Sequence, residues 1–206
     1  MNYGPLLFLG VFLTLASSWC GLVLIPQLQL WKSGGLEAVK LEKTGEFYPP
    51  MRSGLAEHGR EVYRANGCIY CHSQQVRPKG FGGDFLRNWG QRRSVGRDYL
   101  RDKPVMLGTM RTGPDLTNIS LRQPSASWHM LHLYNPQITS PGSIMPPFRF
   151  LFETRKIRRM RSPDALDLKP PFAPPPGYEV VPKPEAQLLV DYLLSLRAVT
   201  PLPETE

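Results

Sequence analysis

One stretch decides the fold of this 206-residue chain: Cys68-Ile69-Tyr70-Cys71-His72. Two cysteines separated by two residues, with a histidine directly after the second, are typical of c-type haem attachment. Each thiol can add to one haem vinyl group as a thioether, and the His72 imidazole can ligate the iron from one side. We therefore predict one haem c, held covalently by Cys68 and Cys71, with His72 as an iron ligand.

Two other interpretations of the same residues are a redox-active Cys-x-x-Cys pair and half of a zinc site. A structural zinc site ordinarily needs a second pair of ligands, and the only other cysteine, Cys20, lies in an apolar run. A thioredoxin-like pair is expected near a βαβ pattern, which the sequence does not show. Haem attachment is the favoured interpretation.

The composition fits one domain with appendages. The 22 prolines and 18 glycines predict long irregular connections. A net charge of +8 suits nucleic acid, anionic lipid or an acidic partner, and no basic motif with interleaved aromatics supports nucleic acid. The basic run at 155–161 is interpreted as a solvated charged face, with a docking patch as the alternative.

The N-terminus is predicted to be a membrane anchor at residues 1–31. Residues 6–25 contain no charge, and the first charged side chain is Lys32. About 20 helical residues span the ~30 Å hydrocarbon core of a bilayer. Tyr3 and Trp31 stand where an aromatic belt is expected.

A cleaved signal peptide and a lipoprotein cysteine at Cys20 are the alternatives to a retained helix. The first four residues carry no Lys or Arg, and Trp19 makes a poor cleavage site. Thioether haems are assembled on the outer side of the bacterial cytoplasmic membrane. The sequence thus predicts a single-pass inner-membrane protein with a periplasmic haem domain.

The remaining chain is predicted to be mainly α-helical. We assign residues 32–54 to a juxtamembrane linker and residues 55–206 to a mono-haem cytochrome c-like domain. Two long irregular inserts are predicted within that domain, near 73–112 and 147–183. The inserts are expected to lie over the surface. A helix is predicted from 55 to 65 and a last helix from Pro184. This pair resembles the two helices that cross closely in small cytochromes c, and the resemblance implies that Gly59 admits the ring of Tyr192.

The second half of the site is predicted after the first insert. Gly113-Pro114-Asp115-Leu116 is similar to the Gly-Pro-x-Leu element of small cytochromes c. In that family the proline lies behind the proximal histidine, whose ring N–H bonds a nearby carbonyl. Such a bond fixes the tautomer and the ring orientation of the ligand.

The sixth iron ligand is expected further along the chain. The candidates are Met106, Met110, His129, Met130, His132 and Met145. Met145 is favoured because the flanking residues, Ser143 to Pro147, predict a fixed loop. The other methionines are interpreted as core residues, and the two histidines as hydrogen-bonded packing residues. Trp128 and Arg111 are expected to reach the haem propionates.

Together these residues resemble the membrane-anchored mono-haem cytochrome c subunit (subunit II) of cbb3-type cytochrome c oxidases. The resemblance covers about residues 3–152 and rests on four runs: Gly67-Cys68-Ile69-Tyr70-Cys71-His72-Ser73-Gln74-Gln75-Val76-Arg77-Pro78, Arg111-Thr112-Gly113-Pro114-Asp115-Leu116, Trp128-His129 with His132-Leu133-Tyr134-Asn135-Pro136, and Ser143-Ile144-Met145-Pro146-Pro147-Phe148.

The resemblance implies a non-catalytic electron-transfer subunit of the respiratory chain. It would receive electrons from a further cytochrome c subunit or a soluble donor and pass them to a haem–copper catalytic subunit that reduces oxygen. The cytochrome c subunit of a nitric-oxide reductase and a stand-alone tethered carrier are the alternatives. A haem-based gas sensor or a catalytic cytochrome would need an open or readily displaced axial position.

Overall fold

The computed structural model of the chain describes residues 2–32, 37–42 and 44–205. The chain folds as two compact units. The first comprises Met1–Pro50 and Val95–Arg101, and the second comprises Met51–Ser94 and Asp102–Glu206. The predicted class is confirmed: the chain is mainly helical, with an apolar N-terminal helix followed by a domain of soluble character.

The first unit begins with a continuous helix over Gly4–Lys32. It consists of α1 (Gly4–Trp19), a π-helical turn (Cys20–Leu24) and α2 (Ile25–Lys32). Pro26 has no N–H and its ring presses on the preceding turn, so the wider π turn accommodates it. None of these residues is buried, and about 44 Å of apolar helix is long enough to cross a membrane.

A small antiparallel sheet follows in the segment predicted to be a linker. Its strands are β1 (Val39–Lys40) and β2 (Phe47–Tyr48). The Tyr48 hydroxyl donates to Asp98 Oδ1 at 2.6 Å. The first unit therefore includes a piece of the insert that the sequence assigns to the haem domain.

The described residues of the second unit form four helices and a hairpin: α3 (Gly54–Ala65), α4 (Ile119–Arg122), α5 (Ala126–Tyr134), β3 (Phe152–Lys156), β4 (Tyr178–Pro182) and α6 (Pro184–Ser195). The Ser53 side chain caps the start of α3 by accepting from the Ala56 N–H at 3.2 Å. Past the end of α3, Gly67 adopts a left-handed φ of 69° that turns the chain into the cysteine motif.

Helices α3 and α6 form the centre of the core. They cross at Gly59, where an added Cβ would lie 2.8 Å from the Tyr192 Cβ and would overlap the Leu188 carbonyl. The rings of Tyr63 and Tyr192 meet edge to face at 5.3 Å. The predicted pairing of Gly59 with Tyr192 is confirmed.

The hairpin was not predicted. Strands β3 and β4 pair antiparallel, with Thr154 opposite Val180, inside the region assigned to an irregular insert. Arg155, from the basic run, donates to Glu179 at 2.9 Å. The proline-rich connection is fixed on β4 because the Leu166 N–H donates to the Val180 carbonyl at 2.9 Å.

The expectation that the insert at 73–112 lies over the surface is wrong for its key side chains. Val76, Asp84 and Met106 are each at most 2% exposed. The buried Arg60 of α3 donates to the carbonyls of Lys103 and Pro104 at 2.6 and 3.0 Å. These bonds tie the insert to the core.

Candidate haem site

One cavity of about 490 Å³ brings together all the predicted site residues except Arg111. Seven parts of the second unit form its wall: Tyr63 of α3, the cysteine motif, the loop 112–116, Ile119 of α4, helix α5, the loop 140–146, and Leu189 with Leu193 of α6. None of the described residues that line it is Asp, Glu, Lys or Arg. An apolar cavity of this size suits a large planar cofactor with few polar contacts.

The cysteine motif is held in a single 3-10 turn over Cys68–Tyr70. The His72 N–H donates to the Cys68 carbonyl at 3.0 Å, and both cysteine thiols are free. Both cysteines and His72 line the cavity. Burial raises the pKa of the Cys68 thiol to about 12, the opposite of the lowered pKa that a redox-active thiol needs.

His72 is oriented for metal ligation. Its Nδ1 lies 2.8 Å from the carbonyl oxygen of Pro114. Because a carbonyl only accepts, Nδ1 carries the proton and Nε2 keeps a free lone pair for a metal. Burial lowers the pKa of His72, which favours the neutral ring that a ligand needs.

Gly113 lies directly against the His72 ring. A Cβ at this position would come within 2.7 Å of Nδ1 and 2.9 Å of Nε2. The Gly113 N–H also donates to the Cys71 carbonyl at 2.8 Å. Any side chain here would displace the imidazole, which explains why the motif begins with glycine.

Three of the six candidate distal ligands line the cavity: His129, His132 and Met145. Met145 is half-buried, and its loop is ordered by a 3.3 Å bond from the Met145 N–H to Ser143 Oγ. Among the others, Met106 is buried as predicted, whereas Met110 is exposed, so its interpretation as a core residue is wrong; neither lines the cavity.

Both histidines of α5 are held by hydrogen bonds, as the sequence predicts. His129 Nε2 lies 2.8 Å from the Gln123 carbonyl, and His132 Nδ1 lies 2.6 Å from Thr139 Oγ1. The His132 ring stacks on Trp128 at 4.7 Å. Burial, with the nearby His129, lowers the pKa of His132 to about 4 and keeps it neutral.

Only one of the two residues expected near the haem propionates is found among the described residues that line the cavity. Trp128 lines the cavity, whereas Arg111 is absent from the described lining residues. The Arg111 guanidinium instead donates to Asp84 at 2.6 Å and to Ser73 at 2.8 Å. The sequence analysis did not predict that Asp84 and Ser73 are partners of Arg111. The position of Ser73 directly after His72 was the one signal for a role near the site.

A haem c fits the residues that are present. Thiols, imidazole and thioether converge on one apolar cavity, and this donor set is the one that c-type haems use. Among the described residues, no group of three or more His, Cys, Asp or Glu side chains is placed to hold a metal ion. The zinc interpretation therefore gains no support.

Comparison with known protein families gives a match over most of the chain. The family model described as cytochrome C oxidase, mono-heme subunit/FixO matches residues 6–168. The matched range includes the apolar helix, the cysteine motif and Met145, and it ends before α6. A search of curated proteins finds no match.

Proposed function

Because the chain belongs to the cytochrome c oxidase mono-heme subunit family, we propose that it is the electron-relaying subunit of a cbb3-type haem–copper oxidase. The observation that carries the proposal is the apolar cavity where Cys68, Cys71, His72 and Met145 meet. Electrons would come from a soluble donor or a further cytochrome c subunit. They would go to the catalytic subunit, where oxygen is reduced.

Each residue of the site has a distinct part in this proposal. The thiols of Cys68 and Cys71 would each add across one vinyl group of a single haem c. His72 Nε2 and the Met145 sulfur would occupy the two axial positions of the iron. Pro114 and Gly113 hold the His72 ring, and Leu189 and Leu193 of α6 give the cavity an apolar wall. The bound haem would supply one-electron oxidation and reduction.

Occupied axial positions distinguish a relay from a gas sensor or a catalytic cytochrome. We expect the reduced, haem-loaded chain to show almost no carbon monoxide difference spectrum, because both iron positions are taken. The spectrum of a Met145→Ala variant should be large under the same conditions. Substantial carbon monoxide binding by the unaltered protein would contradict the proposal.

The apolar helix supports a place in the bacterial inner membrane. We propose that the helix spans the bilayer and contacts lipid and partner subunits, with the haem domain in the periplasm. Gentle detergent purification should recover this chain with a haem–copper subunit that consumes oxygen. Recovery with a subunit that reduces only nitric oxide, or recovery alone, would contradict the cbb3-type assignment.

A further inference from the structure

A group of charged and polar side chains, with buried carboxylates and partly exposed arginines, lies next to the residues that hold His72. We call it the Arg111 network, and its members are Ser73, Arg77, Asp84, Arg111 and Asp115. Asp84 is 1% exposed and Asp115 is 0% exposed. Buried carboxylates at this depth need close cationic or hydrogen-bonding partners.

Asp84 is held between two arginines. Its carboxylate accepts from the Arg77 backbone N–H and from Arg77 Nη2, both at 2.8 Å. It also accepts from Arg111 Nη1 at 2.6 and 2.8 Å. Burial opposes ionisation of Asp84, yet these bonds outweigh it and lower the pKa of its carboxyl to about 2. Asp84 therefore carries a full negative charge.

Arg111 joins this carboxylate to the chain that follows His72. Its Nε donates to Ser73 Oγ at 2.8 Å, and its Nη2 donates to the Gln75 carbonyl. The same guanidinium stacks over the Trp89 ring at 5.3 Å. A planar fork with several donors is required to make these contacts together, which a lysine cannot do.

Asp115 completes the network from the other side. Its Oδ2 accepts from Ser73 Oγ at 2.7 Å and from the Gln75 N–H at 2.8 Å. Its Oδ1 accepts from the Thr117 N–H at 2.8 Å. The Arg111 Nη2 lies 3.7 Å from Oδ2, so the two acids share one arginine.

The network fixes both backbone segments that the hydrogen bond between His72 Nδ1 and the Pro114 carbonyl joins. Ser73 directly follows His72, and Asp115 directly follows Pro114, whose carbonyl receives the His72 N–H. The Leu116 N–H adds a 2.8 Å bond to the Ser73 carbonyl. Within the network two carboxylates face two guanidiniums, and Arg122, whose Nη2 donates to the Asp115 carbonyl, adds a positive charge beside them. Removal of one member of the network therefore changes the net charge close to His72 by one unit.

We propose that the Arg111 network is a positioning and charge-setting device for the haem, and that Arg111 and Asp115 help to set its reduction potential. The inference rests on the proposed function, because it takes His72 as an iron ligand. A nearby positive charge favours the reduced iron and a negative charge favours the oxidised iron. The two buried carboxylates act over a longer range than surface charges would, because water screens them poorly.

The test is a redox titration of the haem-loaded full chain in detergent. Asp115→Asn leaves a net positive charge in the network and should raise the reduction potential. Arg111→Gln leaves a net negative charge and should lower it. The double variant is neutral again and should return the potential towards that of the unaltered protein. Should Asp115→Asn give no loaded protein, Asp84→Asn replaces it with the same expected sign.

Two further variants separate the effect of charge on the reduction potential from the effect of a weakened structure. Arg111→Lys keeps the charge but loses the fork, so its potential should stay near the original while its unfolding temperature falls. Arg155→Gln breaks the ion pair with Glu179 on the hairpin and should leave the potential unchanged. Absorption spectra of every variant report whether the axial ligands are retained, which tests the proposed function separately.

Shifts of the same sign in Asp115→Asn and Arg111→Gln would overturn the proposal. So would an Arg111→Lys shift as large as that of Arg111→Gln, because the charge would then not be the cause. Unaltered potentials in variants with retained ligands would overturn it as well. Spectra that show His72 is not a ligand even in the unaltered protein would instead reject the proposed function.

Discussion

Replacement of Met145 by histidine is expected to lower the reduction potential of the haem while keeping a low-spin, six-coordinate iron. A thioether stabilises ferrous iron better than an imidazole does, so His/Met ligation gives the higher potential. Axial ligands span about 0.8 V of haem potential, and a change of this ligand should move a sizeable part of that range. Redox titration of the purified full chain measures the shift.

His132 provides the matched control for Met145. It lines the same cavity, and its Nδ1 is bonded to Thr139. If Met145 is the ligand, His132→Gln should leave a low-spin spectrum with a nearly unchanged potential. An unchanged potential in Met145→His, together with a changed spectrum in His132→Gln, would move the ligand assignment to His132.

Gly59→Ala is expected to destabilise the haem domain by about 1–3 kcal/mol. The new methyl group would overlap the Leu188 carbonyl and lie 2.8 Å from the Tyr192 Cβ. The Leu188 carbonyl is backbone within α6, so the two helices must move apart. For a domain of this size the unfolding temperature should fall by roughly 2–12 °C.

Gly54→Ala is the control for that substitution. Gly54 is the first residue of α3, it is exposed, and an added Cβ meets nothing within 4 Å. Alanine there should stabilise the helix by about 0.4–1 kcal/mol. Thermal unfolding followed by circular dichroism compares the two variants. Equal effects would show that the α3–α6 crossing is not tightly packed.

The parts of the fold that depend on local signals could be predicted from the sequence. Pro184 marks the start of α6, and the apolar periodicity before Gly67 places α3 within one residue of its observed start. The hairpin escaped prediction because proline-rich chain separates its short strands, whereas hairpin signals require a short turn. The π turn at Cys20–Leu24 also has a local cause, because Pro26 follows it directly after Ile25.

The haem motif, the Pro114 contact and the Met145 loop could be predicted because each follows from a short run of residues. The Arg111 network could not, because its bonds join residues far apart in the chain. Asp84 and Arg111 are separated by 27 positions and Ser73 and Asp115 by 42. Composition alone made the arginines of the insert resemble surface residues. Only the fold pairs them with buried acids.

The last helix, α6, forms part of the cavity wall and is synthesised long after the cysteine motif. The Gln74–Tyr192 hydrogen bond joins residues 118 positions apart, and Leu189 and Leu193 line the cavity from the same helix. At ribosomal speeds of about 5–20 residues per second, roughly 6–24 s of synthesis separate these two parts. Throughout that interval the cavity lacks Leu189 and Leu193, so we expect its apolar interior to close only after α6 has been synthesised.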